Sequence, residues 1–257
     1  MSTPESEISI AADWYTHAFD AIYPVIYAHR SLESARPEVE FALQRLQIQP
    51  GESVLDLCCG NGRHMAHLLQ VTPRVFGLDY SADLLAHART LVKPAGHLVR
   101  ADMRALPFFN VFDVLVNFFT SFGYFVQQEE DQAVLNAMAC ALKERGRFLM
   151  DYLNPDYVRR HLVPRSSRME NGFEIREERW IDATGERINK KTLVTGPDGK
   201  EFSTSESVRL YSPETLVQML ETAGLRVENL YGNYAGQPFG PSHPRMIITG
   251  HQVHCHG

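Results

Sequence analysis

The chain of 257 residues has no uninterrupted apolar stretch of about 20 residues, the length a membrane-spanning helix requires, so an integral membrane protein is not expected. Its first residues, M-S-T-P-E-S-E, are polar and acidic, without the basic flank and apolar centre of an export or transit signal; a cytoplasmic protein is predicted. Basic runs are missing too. With a formal net charge of -6 and no Lys/Arg cluster, the chain offers no electrostatic footprint for a polyanion, which argues against nucleic acid as substrate. Cysteine is scarce: there are four, two of them adjacent at Cys58 and Cys59, and none in a C-x-x-C pair. Neither a disulfide framework nor a thiol redox motif follows, and all four read as reduced, small, turn-filling side chains. A Cys59 thiol activated by a following helix amino terminus is the sharper alternative. The tail from His251 to Gly257 carries metal-friendly residues but reads as an unstructured terminus, so no metal is expected.

What is present centres on S-V-L-D-L-C-C-G-N-G-R-H-M-A-H-L-L-Q from Ser53 and R-V-F-G-L-D-Y-S ending at Ser81. Val54 to Leu57 is a short apolar run that breaks at Gly60-Asn61-Gly62, after which Met65, Leu68 and Leu69 recur at helical spacing: strand, tight turn, helix. The next apolar run, Val75 to Leu78, ends on Asp79, about 20 residues beyond the glycine turn, where nucleotide-binding units place an acid for a ribose diol. The third glycine of the dinucleotide fingerprint is lacking, because Met65 follows His64; the pyrophosphate reading loses ground accordingly.

V-L-D-L-C-C-G-N-G, G-L-D-Y-S, A-D-M-R-A-L-P-F and F-D-V-L-V-N, in that order over roughly residues 40 to 150, resemble the ordered motifs of class I S-adenosylmethionine-dependent methyltransferases. One departure is Cys58, where that family usually has glycine. The resemblance implies S-adenosyl-L-methionine as cofactor, S-adenosyl-L-homocysteine as product, and a cofactor site of Tyr15, Asp56, Gly60, Gly62, Asp79, Tyr80, Asp102, Met103, Asn117 and Phe118. Asp102 and Met103 match the positions that take the adenine amino group and a ring nitrogen. Arg30 would meet the methionine carboxylate, which suits a bidentate guanidinium.

Along the rest of the chain, Trp14, Tyr15, Phe19, Ile22, Tyr23, Ile26 and Tyr27 lie at helical spacing, with Pro24 as a break, and predict a pair of amphipathic helices. They serve either as plain packing or, as the resemblance implies, as a lid over the cofactor. Pro37 predicts a helix with proline in its first turn, leading through Leu46 to the first strand. Ser81 is a helix cap, and further strands are predicted at His97 to Ala101, Val111 to Asn117 and Arg147 to Tyr152. Phe118 to Phe125 packs five aromatics into eight residues, where aromatic faces would suit a sulfonium. It lacks the acid- or amide-proline-proline-aromatic motif of exocyclic base-amine methyltransferases.

From Arg165 to Tyr211 the pattern changes to short β-type runs separated by Asn171-Gly172, Asp182 to Gly185 and Gly196 to Gly199, hence three or four antiparallel strands. That insertion resembles the substrate-side sheet of several small-molecule methyltransferases, including those acting on amino sugars; a homodimer contact through an exposed sheet is the alternative. Ser212-Pro213 opens one more helix, and Leu225 to Tyr231 and Arg245 to Gly250 supply the last strands. The fold expected is α/β: a doubly wound, mainly parallel, seven-stranded Rossmann-like sheet. Its segments would be a lid over 1–36, a cofactor core over 37–153, an antiparallel insertion over 154–211, completion of the core over 212–250 and a tail over 251–257.

Methyl transfer is an in-line displacement that needs the nucleophile aimed and water kept out. An amine needs only to be deprotonated and aimed, whereas a hydroxyl wants a base, and no His-Asp pair is readable. A small-molecule acceptor methylated at nitrogen or oxygen is therefore expected, with Tyr27, Tyr124 and Tyr152 shaping or polarising its site. The rivals are a nicotinamide-dependent oxidoreductase, which shares the strand-turn-helix and ribose acid, and a non-catalytic cofactor-binding protein.

Overall fold

The computed structural model describes residues 10–20, 22–93 and 95–255. Its amino-terminal segment is not a helical pair. Among its described residues it contains a single 3₁₀ turn, Trp14–Thr16, and a four-residue helix, α1 (Tyr23–Ile26), with Pro24 in its first turn instead of at a break. The apolar side chains of this segment serve several surfaces at once: Trp14 packs on Tyr124, Tyr15 on Tyr80 and Phe125, and Ile26 on Ile175 and Val194. One helical face cannot reach three surroundings, so turns replace the helices. α2 (Leu32–Leu46) begins before Pro37, which falls inside it; the start is set by Ser31, whose hydroxyl accepts the Ser34 N–H at 3.2 Å.

The core alternates strand and helix: β1 (Val54–Leu57), α3 (Arg63–Leu68), β2 (Val75–Asp79), α4 (Ala82–Val92), β3 (His97–Arg100), β4 (Phe112–Asn117), α5 (Gln128–Ala141) and β5 (Leu142–Leu153). Then come α6 (Pro155–His161), the insertion strands β6 (Arg165–Glu170), β7 (Phe173–Ile181), β8 (Arg187–Thr195) and β9 (Glu201–Arg209), α7 (Pro213–Thr222), β10 (Leu225–Tyr231) and β11 (Arg245–Gln252). The main sheet has seven strands in the order β10-β11-β5-β4-β1-β2-β3, parallel from β5 to β3, with β11 antiparallel to both neighbours. The doubly wound fold expected from the motifs is the one observed. Chain order reverses at β1, between β2 and β4, and a ligand crevice opens at such a switch point.

β1 and β4 run through the middle of the sheet, and Leu55, Leu57, Val114, Leu115 and Val116 are almost completely removed from solvent. Burial of each such side chain contributes about 1.5–3 kcal/mol, which makes these strands a rigid base for the loops at their ends. β6 to β9 form a separate four-stranded antiparallel meander. Its first hairpin turns on Asn171 (φ 51°) and Gly172 (φ 82°), the paired left-handed residues of a two-residue loop.

Two expectations about the cysteines and the tail change. Cys140 on α5 and Cys255 are joined in a disulfide across 115 residues, so only Cys58 and Cys59 are free. The tail is held as well: His251 and Gln252 belong to β11, and His251 Nδ1 meets Glu228 at 2.8 Å. Residues 256–257 lie outside the described ones. No helix among the described residues is long and apolar enough to cross a membrane.

Candidate active site

A cavity of about 480 Å³ opens at the carboxyl ends of β1 to β4, within the range of small-molecule sites. Its floor is the turn after β1. Gly60 (φ 56°) and Gly62 (φ 81°) both take the left-handed conformation, for different reasons. A Cβ on Gly62 would lie 3.0 Å from Ala88 Cβ, so this glycine lets α3 pack on α4, and it does not face the cavity. A Cβ on Gly60 would meet nothing closer than 4.0 Å; the space in front of it is open cavity. Cys58 holds φ 59° despite its side chain, and its Sγ lies 3.7 Å from Met103 Sδ on the cavity wall. Burial pushes both free thiols well above their ordinary pKa, which disfavours the activated-thiol reading of Cys59 and supports packing.

Asp79, at the end of β2, accepts the Gly60 N–H at 2.8 Å and the Ser81 N–H at 2.9 Å, so one carboxylate ties the glycine turn to the next strand while lining the cavity. Burial raises its pKa, against the pull of those N–H groups. Asp102 and Met103 line the wall just past β3. Arg104 holds Asp102 through a 2.6 Å pair and reaches Glu130 at 2.5 Å. Burial would raise the Asp102 pKa, but the Arg104 bonds outweigh it and keep the carboxyl ionised. Tyr15, Tyr80 and Phe118 also line the cavity, Phe118 stacked at 4.1 Å on His64. His64 Nε2 in turn meets Glu38 at 2.5 Å, and burial moves this acid up to about 7 and the histidine down.

At the other end three guanidinium groups surround the Phe119 ring: Arg63 at 4.6 Å, Arg30 at 4.9 Å and Arg245 at 5.5 Å from its centroid. Arg245 is held by Asp151 at 2.7 Å and Arg63 by Glu38 at 3.2 Å. Arg30 meets no carboxylate among the described residues; it donates to the Tyr23 hydroxyl at 2.9 Å and leaves its Nε buried and unpartnered. A buried donor of that kind suits an incoming carboxylate.

Four residues expected at the site do not line the cavity: Asp56, Gly62, Asn117 and Tyr152. Asp56 is buried in β1, its Oδ2 without a partner among the described residues, and burial followed by the nearby Asp79 charge pushes its pKa up to about 8. Asn117 turns inward and donates to the Leu57 carbonyl at 3.0 Å. Tyr152 is fully buried among Phe122 and Tyr211, and its hydroxyl donates to the Arg209 carbonyl. Side chains alternate along a strand, so Leu153 reaches the cavity and Tyr152 takes the opposite face.

Tyr27 and Tyr124 do line the cavity, together with a wall that sequence patterning did not reveal: Arg179, Ile188, Lys190, Glu206 and Val208 of the four-stranded sheet. Lys190 and Glu206 are opposite one another in the β8–β9 register, Nζ to Oε1 2.7 Å. The sequence showed β-type runs here, but only the strand register makes one wall of Ile188, Lys190, Glu206 and Val208.

A profile of the methyltransferase domain family matches residues 54–146, the stretch that carries the turn, Asp79 and Asp102. The chain is 28% identical over 230 residues to the dTDP-3-amino-3,4,6-trideoxy-alpha-D-glucopyranose N,N-dimethyltransferase of Streptomyces venezuelae, covering 84% of this chain and 93% of that one. This is a class I S-adenosylmethionine-dependent methyltransferase. The methyltransferase is also 27% identical, over 87% of its length and 89% of the other, to the dTDP-3-amino-3,6-dideoxy-alpha-D-glucopyranose N,N-dimethyltransferase of Streptomyces fradiae. In fold it is similar to the CcbJ methyltransferase of Streptomyces caelestis (TM-score 0.77, 18% identity, covering 94% of this chain and all of that one). It transfers a methyl group from S-adenosylmethionine to a small molecule. Neither the oxidoreductase nor the non-catalytic alternative finds support among these relatives.

Proposed function

We propose that the acceptor is the amine of an amino sugar carried on a nucleotide, methylated at nitrogen. The observation that carries this reading is full-length similarity to two enzymes named for that reaction, at 28% and 27% identity over most of both chains. The cavity is consistent with it. The acceptor wall offers hydroxyl and charged groups, Tyr27, Tyr124, Lys190 and Glu206, suited to a polar ligand. Burial holds the Tyr27 and Tyr124 hydroxyls well above their ordinary pKa, so neither acts as a phenolate base, and an acceptor hydroxyl would find no strong base in them. A neutral amine needs only its lone pair aimed.

In this reading the glycine turn cradles the cofactor, Asp79 takes the ribose diol, Asp102 and the Met103 amide take the adenine, and Arg30 takes the methionine carboxylate. Tyr15, Tyr80 and Phe118 close its apolar edges. When bound, the cofactor supplies an electrophilic methyl on a sulfonium. The chain's own part is to aim the amine and exclude water, the task of Tyr27, Tyr124 and the sheet wall. Asp56, Gly62, Asn117 and Tyr152 act behind the wall, on turn and strand geometry.

Incubating the enzyme with S-adenosylmethionine and either a dTDP-3-amino-6-deoxyhexose or its 3-hydroxy counterpart tests the reading, with the product followed by mass spectrometry. Mass gain on the amine alone supports it; methylation of the hydroxy sugar alone, or of neither, sinks it. A cytoplasmic setting and a homodimer through the four-stranded sheet remain part of the proposal. The Cys140–Cys255 bond pulls against the first, since reducing compartments disfavour disulfides, and counting thiols in freshly lysed cells decides it. Light scattering in solution decides the second.

A further inference from the structure

The four-stranded sheet reaches the cofactor end of the cavity through one line of contacts. Glu206 on β9 accepts the Tyr27 hydroxyl proton at 2.5 Å, and Lys190 on β8 donates to the same phenolic oxygen. One residue earlier, the Ile26 carbonyl accepts from Arg168 Nη2 at 2.6 Å. On the other side of Tyr27, the Arg30 guanidinium rests 3.9 Å above the ring. α1, which carries Tyr27 at its end, has four residues and no side-chain cap, too few to hold itself in place. Its position is set by what grips it, and the grip comes from the sheet.

We propose that Glu206 is a positioning residue for the cofactor: through the Tyr27 hydroxyl it fixes the ring on which Arg30 rests, and so sets the hold on the methionine carboxylate. The inference rests on the reading of Arg30 as the carboxylate ligand. It assigns the insertion a task on the cofactor as well as on the acceptor. Glu206 and Lys190 both line the cavity, so an acceptor that bonds to either is felt at Tyr27 and, through Arg30, by the cofactor. Coupling of this kind is reciprocal: the acceptor tightens or loosens the cofactor by the factor with which the cofactor affects the acceptor.

Titration calorimetry with two nucleosides tests the proposal without reference to turnover. S-adenosylhomocysteine carries the carboxylate; 5′-methylthioadenosine keeps the adenosyl thioether and lacks the amino acid. Glu206→Ala and Tyr27→Phe are each expected to weaken S-adenosylhomocysteine about tenfold and to leave methylthioadenosine within about twofold, the scale of one charge-assisted hydrogen bond. Glu206→Gln, which keeps an oxygen for the Tyr27 hydroxyl, should recover part of the loss. The double variant Tyr27→Phe/Glu206→Ala should bind no more weakly than Glu206→Ala alone. Equal losses for both nucleosides, additive losses in the double variant, or unchanged S-adenosylhomocysteine affinity in Tyr27→Phe overturns the proposal. Arg30→Ala separates the two layers. If it leaves S-adenosylhomocysteine affinity intact, the carboxylate reading fails and takes this inference with it. If it weakens binding while Glu206→Ala and Tyr27→Phe do not, only the positioning role fails.

Discussion

The two halves of the cavity are built by different means. On the side proposed for the cofactor, main-chain geometry does most of the work: left-handed glycines at 60 and 62, strand ends, and one carboxylate, Asp79, that accepts two backbone N–H groups. On the side proposed for the acceptor the wall is made of side chains that meet across great sequence distance, such as Tyr27 and Glu206, which are 179 residues apart. The first construction is local and tolerates few changes; the second is modular, a sheet inserted between α6 and α7 that is tied to the other half through the Glu206–Tyr27 contact. A fold that keeps its cofactor while changing its acceptor needs this division.

If the cofactor half is rigid because β1 is sealed in the core, its buried acid should carry a measurable cost. Asp56 has a folded pKa raised from 3.8 to about 8. The native state therefore holds a proton that the unfolded chain has released, and the stability tied to this group is complete below about pH 4 and lost as pH rises to about 8. Asp56→Asn should remove that decline. In urea unfolding at pH 5 and pH 9, the variant should gain on the parent by as much as about 4 kcal/mol between the two, the fall expected from pH 5 to the folded pKa of about 8. Parallel stabilities at the two pH values would mean that Asp56 has water or a partner and that the half is less sealed than the comparison holds.

Asp79 gives the next largest effect and addresses binding. Asp79→Ala removes the tie to the Gly60 amide and, on the proposed reading, the ribose acceptor, and should weaken S-adenosylhomocysteine by about 1.5–3 kcal/mol in titration calorimetry. Methylthioadenosine, which shares the ribose, should lose as much. An unchanged affinity would move the cofactor off the glycine turn altogether.

The same contrast explains what was legible in the sequence. Residues whose chemistry dictates backbone shape announce themselves: Gly60, the Ser81 and Ser212 caps, and the Asn171-Gly172 hairpin all stand where their local signals put them. Asp79 and Asp102 line the cavity because strand ends in this topology converge there. Residues defined by a distant partner were silent. Nothing local to Cys140 points to Cys255, and nothing in β8 alone points Lys190 at a tyrosine of the amino-terminal segment. Tyr152 shows a third case. The strand was legible, but which of its faces meets the cavity depends on the sheet around it, and the alternation turned Tyr152 inward while Leu153 lines the cavity.

Paired phenylalanine variants sharpen that last distinction. Tyr152→Phe deletes a buried hydroxyl bonded to the Arg209 carbonyl and should cost about 1 kcal/mol of stability with kcat/KM unchanged. Tyr124→Phe, on the cavity wall, should lower kcat/KM and leave stability nearly as it was. The reverse pattern would place β5, not the aromatic run after β4, against the acceptor.

The smallest effect is expected at Cys58, where backbone and side chain construction meet in one residue. Its φ of 59° favours glycine, and a β-carbon in that region costs about 1–2 kcal/mol. Against this, the side chain fills the wall beside Met103, Sγ to Sδ 3.7 Å, and removing it forfeits packing of similar size. Cys58→Gly should therefore shift stability by less than about 1 kcal/mol in either direction, as the two terms oppose each other. Cofactor affinity discriminates between them. If Cys58 only fills space behind a wall set by the backbone, S-adenosylhomocysteine binds the variant within about threefold of the parent. If binding falls further while the unfolding midpoint holds, the thiol itself is part of the wall, and the cofactor half borrows from side chains what the family usually obtains from a bare glycine.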